Sequence, residues 1–266
     1  MNTTKDAPKK VVPIPIVIVL AFCLCGGCVS QRSLQPSDER TWENFVRLVN
    51  QLQWSEADQG SAFEKTQKTL GLDSYSAMEL DGNVVVTPGN RHKAKPSPMP
   101  RVWAGNDEKL VCAGDLYGDG RTEYVLAFGW FGPMGGVICV YDPSLRKIVD
   151  QRVDGNVVWL ELDDLLHDGK LELICCQDHH HGTDGWLRDV TVYRISKSGT
   201  LNEIWKDYIY SEFEAGVVSK QKVRFLQTAG KPEVIETTTS DAPHKTAEYV
   251  WNPASGTFER CDRLVD

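Results

Sequence analysis

The residues best suited to chemistry lie between Gln177 and Asp184, where His179, His180 and His181 follow one another with Asp178 and Asp184 on either side. Imidazole nitrogens suit zinc, copper or nickel. Neighbouring side chains of a strand point to opposite faces, so His179 and His181 can share an ion with Asp184 while His180 turns away. With Asp178 added, the cluster would suit a metal-dependent hydrolase; a polar surface loop is the alternative. A second recurring pattern is acidic. Asp115, Asp119 and Glu123 repeat at the same spacing as Asp164, Asp168 and Glu172, each set around an Asp-Gly pair. Read locally, such Asp side chains cap backbone N–H groups of a turn, and the Glu opens the next strand. The chain lacks the GxSxG, HExxH and Gly-rich phosphate-loop patterns. That leaves the metal-dependent hydrolase as the enzymatic alternative to a non-enzymatic binding or scaffold role.

These two patterns sit inside a longer periodicity. GDLYGDGRTE followed by YVLAF matches DDLLHDGKLE followed by LICC, and Gly230-Lys231-Pro232-Glu233 followed by VIET is an eroded third copy. Each Gly precedes an aromatic landmark, namely Tyr141, Tyr193 and Trp251, by 21, 24 and 21 residues. Repeats of this length read as one supersecondary unit each. Strand, Asp-Gly turn, strand, loop, strand, turn and strand make a four-stranded antiparallel unit. The expected fold is mainly β, a partial or small β-propeller-like repeat domain over 80–266. Its units are about 80–107, 108–155, 156–212 and 213–266, the first marked only by Gly82 and Trp103. A helical segment at 37–79 precedes it. There Trp42, Phe45, Val46, Val49 and Leu52 share one face of a helix starting at Ser37 or Asp38, and a second helix runs from Ser61 to Leu70 and stops at Gly71.

The DxxxDGxxE loops resemble FG-GAP or VCBS-type repeats, the family that includes the integrin α-subunit propeller. That resemblance implies calcium held by Asp115, Asp119, Glu123, Asp164, Asp168 and Glu172, and a calcium-dependent adhesion role. The family's third acidic position is occupied by Tyr117 and Leu166 here, which removes one carboxylate ligand per loop.

The first residues read as an address. MNTTKDAPKK carries three Lys, and Val11 to Val29 has no charge, the layout of an export signal. Leu24-Cys25-Gly26-Gly27-Cys28 resembles the lipobox of bacterial lipoproteins, with Cys25 where Leu is usual. The resemblance implies a signal peptide at 1–27, a lipid such as palmitate on Cys28, a tether at 28–36, and a cell-envelope protein on the inner or outer membrane. An uncleaved helical anchor is the other reading. Loss of residues 1–27 leaves 26 basic and 36 acidic side chains, a charge that disfavours nucleic acid as partner. The expected partners are the membrane, through the anchor, and a protein or glycan contacted by blade loops. The Trp130–Gly136 loop and the His loop are candidate contact surfaces. Five Cys beyond Cys28 allow at most one or two disulfides.

Overall fold

The computed structural model describes residues 36–53, 61–87, 108–129, 135–180, 185–213, 218–228, 231–240 and 243–261. The chain is mainly β, with thirteen strands among the described residues following three helices. Helix α1 (Pro36–Asn50) begins one residue earlier than expected, because proline is tolerated in a helix's first turn. Its apolar stripe buries Phe45 and Val49 completely, and Leu52 just beyond it. Helix α2 (Ser61–Thr69) ends in paired bonds from Gly71 N to Lys68 O and from Leu72 N to Gln67 O. That closure needs a left-handed residue, and Gly71 has φ +63°. A third helix, α3 (Ala77–Leu80), is fixed by a reciprocal Ser76–Glu79 capping box.

Strands follow as three successive antiparallel meanders. The first is β2 (Glu108–Gly114), β3 (Glu123–Gly129), β4 (Gly136–Tyr141) and β5 (Lys147–Val153). The second is β6 (Asn156–Asp163), β7 (Glu172–His180), β8 (Gly185–Ile195) and β9 (Leu201–Phe213). The third is β10 (Val218–Thr228), β11 (Lys231–Thr239), β12 (Thr246–Asn252) and β13 (Thr257–Cys261). Residues 210–212 of β9 pair with 218–220 of β10, joining the last two meanders into one eight-stranded sheet. Neither sheet closes on itself.

The segment expected to form a unit at 80–107 contributes β1 (Asn83–Val86), which pairs parallel with β2 as an edge of the first sheet. The parallel pairing differs from that of the antiparallel unit expected there, of which residues 88–107 lie outside the described residues. A run of three valines announces a strand, but its pairing direction depends on how the chain returns.

The meanders pack face to face because their central strands are apolar on both sides. Every residue of β3 and β4 is buried. Leu110, Cys112, Val125 and Ile138 face the second meander's Leu160, Leu162, Leu173 and Cys175. On the other face Val111, Tyr124, Leu126 and Tyr141 meet the helices, with Phe45 wedged 5.4 Å from both tyrosine rings. Ile174, Cys176, Val192 and Trp205 turn instead to Val223, Phe225, Ile235 and Phe258 of the third meander. The layer order is therefore helices, first, second and third meander. Strands buried on both faces read as continuous apolar runs, which these are.

Cys112, Cys139, Cys175 and Cys176 are buried free thiols within these layers, and Cys261 is a half-buried one. Burial pushes the Cys139 thiol up to about 12, so it behaves as a small apolar group.

Candidate functional site

The two DxxxDGxxE loops join β2 to β3 and β6 to β7, and they are built alike. Asp115 accepts from the backbone N–H groups of Gly118, Asp119 and Gly120 at 2.7, 3.1 and 2.7 Å. Asp164 accepts from Asp168 and Gly169 N–H, both at 3.1 Å. Asp119 and Asp168 each take the N–H two residues on, from Arg121 and Lys170. Glu123 and Glu172 open β3 and β7 and accept from Leu116 and Leu165 N–H, each at 2.9 Å. The carboxylates thus hold the loops' shape, and a cation would have to share their oxygens with these amide donors.

Both loops need two left-handed residues. Gly118 and Gly120 supply them in the first, His167 and Gly169 in the second. A side chain in that conformation costs about 1–2 kcal/mol, partly offset in glycine by its freer unfolded chain. His167→Gly is accordingly expected to raise stability by roughly 0.5–1 kcal/mol, read as a higher denaturant midpoint. Gly118→Ala is expected to act oppositely, since its Cβ would stand 2.7 Å from Lys170 Cγ and 3.2 Å from Gly169 O. Unchanged midpoints in both variants would refute this account.

Glu123 and Glu172 are buried at the feet of the loops. Burial is the main reason their carboxyls are pushed up, to about 7 and about 8. For Glu172 the guanidinium of Arg194 works against this, while Asp164 and Asp168 add to it. Arg194 also pairs with Asp168, and its Nε lies 3.6 Å from Glu172 Oε1.

At this end of the stack the turns of all three meanders surround a groove of about 680 Å³. Tyr117 and Asp119 come from the first meander's loop, Lys170 from the second's, and Arg194 to Lys197 and Asn202 to Ile204 from the ends of β8 and β9 and the turn joining them. The third meander adds Trp251 and the β12–β13 turn. The volume falls within the roughly 300–1,000 Å³ typical of ligand sites. Asp119 is neutralised by Arg121, which holds its carboxyl below the usual range.

His179 sits at the opposite end, one residue before the last of β7. Its Nε2 is bonded to Asp189, a wholly buried carboxylate that also accepts from Thr191 Oγ1 at 2.8 Å and lies 3.3 Å from Lys206 Nζ. Burial disfavours the Lys206 ammonium, but Asp189 outweighs it and holds the group above its ordinary value. Gln177 extends the network, donating to Thr191 Oγ1 at 3.0 Å and Tyr193 OH at 3.2 Å and accepting from Gly155 N at 3.3 Å. Gly155 is glycine for a steric reason, since a Cβ there would lie 2.9 Å from the imidazole and 2.8 Å from Gln177 Cβ. Asp178, next to His179, is committed to Arg188 in a buried ion pair. Strand alternation places that pair on the other face of the sheet, so Asp178 and His179 do not converge. His181, Asp184, the loop at 130–134 and Cys28 lie outside the described residues.

Sequence reasoning found the loops and the aromatic landmark Trp251, but not the groove they share, nor Asp189 and Lys206. Lys197 and Asn202 carry no motif, and Lys170 occupies a variable position of the DxxxDGxxE pattern. Trp251 was legible only as a repeat landmark. Among the described residues no group of three or more His, Cys, Asp and Glu side chains is arranged to hold a metal ion, and no helix is long and apolar enough to cross a membrane. Compared with known protein families and with curated proteins, the chain matches none.

Proposed function

We propose that the chain is an envelope lipoprotein, anchored through Cys28, whose β region is a short, degenerate, propeller-like stack serving as a non-enzymatic binding module. The observation that carries this reading is the groove: turns from three successive meanders line one concavity. Equivalent loops of stacked units open together, and such positions carry recognition because a rigid scaffold places them. The matched bonding of Asp115 with Asp164 and of Glu123 with Glu172 supports reading the units as repeats. In them the carboxylates serve the scaffold, leaving recognition to the groove side chains.

Asn202 is exposed at the groove, so tryptophan can be placed there without disturbing the core. In pull-downs of the full-length chain from detergent-solubilised membranes, the Asn202→Trp variant is expected to lose partners that the wild type retains. Cys28→Ser is expected to abolish labelling by radioactive palmitate and leave residues 1–27 uncleaved, with groove binding intact. The same partners on Asn202→Trp as on the wild type would sink the binding assignment. Undiminished palmitate labelling of Cys28→Ser would sink the anchor.

A further inference from the structure

We infer that the groove binds an acidic saccharide chain. This rests on the binding-module reading above and names its ligand. The chemistry of the lining is the first argument. Tyr117 on the first meander and Trp251 on the third are partly buried rings on the two flanking units, with the end of the second meander between them. Asn202, Ser255 and Thr257 also line the groove. Hydroxyl and amide groups both donate and accept, which matches the hydroxyls of a sugar, while aromatic faces suit the apolar faces of its rings.

Charge supplies the second argument. The chain is acidic, with a formal net charge of −8. Yet Lys170 and Lys197 both line this groove, and neither has an ion-pair partner among the described residues. The other charges nearby are already spent, Asp119 on Arg121 and Arg194 on Asp168. Glu203 is the remaining acid of the lining. Two uncommitted ammonium groups in an acidic molecule favour an anion at this place and disfavour a neutral glycan. Lys170 is also held in place, because its aliphatic stem packs over Gly118, where no side chain would fit.

The test is calorimetric titration of the whole chain with tetragalacturonate, with maltotetraose as the neutral sugar and poly-L-glutamate as the non-sugar anion. Tetragalacturonate is expected to bind saturably, at least tenfold more tightly than either comparison. Lys170→Glu with Lys197→Glu is expected to weaken it at least tenfold, and so is Trp251→Ala. Lys222→Glu with Lys245→Glu, on exposed residues of the third meander away from the groove, is expected to leave it unchanged. Thermal melts of each variant separate loss of ligand from loss of fold, and the charge reversals are expected to melt as the wild type does. Absence of saturable binding, equal binding of poly-L-glutamate or maltotetraose, or an equal loss in the Lys222/Lys245 control would overturn the inference. If tetragalacturonate fails while Asn202→Trp still sheds membrane partners, the ligand class is wrong and the binding module stands.

Discussion

Asp189→Ala is expected to cost about 3–5 kcal/mol of stability, because it removes the one carboxylate serving several buried polar groups. Asp189 lies at zero exposure, bonded to His179 and Thr191 and paired with Lys206. Alanine leaves the Lys206 ammonium without its counter-charge and the Thr191 hydroxyl, also fully buried, without its acceptor. A lost partner costs more than the bond itself was worth, since the orphaned group still lacks water. For a chain of this size the loss corresponds to a fall in Tm of roughly 10 °C. Asp189→Asn restores an acceptor for Thr191 but not the charge, so it is expected to fall between wild type and alanine. In Asp189→Ala with Lys206→Met the two losses are expected to sum to more than the double variant shows, because the second change removes the stranded charge. A melt of Asp189→Ala within about 1 kcal/mol of wild type would contradict this assignment.

Stability is expected to fall as pH rises from 5 to 8, and Glu172→Gln is expected to flatten much of that slope. Burial raises the Glu172 carboxyl to about 8 and Glu123 to about 7. In the unfolded chain both titrate near an ordinary glutamate. Between those limits the folded protein holds protons that the unfolded chain has released, so added base favours unfolding. The contribution is whole below the unfolded value and is lost as pH passes through the folded ones. Each tenfold mismatch in proton affinity is worth about 1.4 kcal/mol, which puts the Glu172 effect on the order of 3 kcal/mol. Glutamine is neutral throughout and its side-chain oxygen can still accept from Leu165 N–H. Lys109 acts in the opposite sense, but only above this range. Burial lowers its ammonium to about 8, with Asp81 partly opposing the fall, and its Nζ donates to Leu80 O at 2.8 Å. Denaturant titrations at pH 5 and pH 8 decide the matter: parallel profiles for wild type and Glu172→Gln would remove Glu172 from the explanation.

What the sequence disclosed follows the range of the interactions involved. Asp115 bonds to amides three to five residues away, and Glu123 to one seven away, so a nine-residue pattern carries the whole loop. The helix stop at Gly71 is equally local. The α3 capping box is written in the sequence as Ser76-Ala77-Met78-Glu79, but a single turn of helix adds too little periodicity to mark it. The groove was hidden for the opposite reason. Tyr117, Lys170, Lys197 and Trp251 lie in separate turns and meet only after three meanders have stacked. Asp189 was hidden likewise: within Arg188-Asp189-Val190-Thr191-Val192 it reads as a solvated position of an alternating strand. Its burial depends on Lys206 from the next strand.

The two ends of the layered array are finished differently. Helices cover the first sheet, whereas β10 and β11 of the last meander alternate, with Val223, Phe225 and Ile235 buried and Lys222, Arg224 and Glu236 on the side turned to water. A further module docking there would have to strip water from those charges and would cover only Leu226, Val234 and Val250 as apolar area. The charges of that outermost surface therefore work against a further layer stacking on it, whether from the same chain or from another molecule.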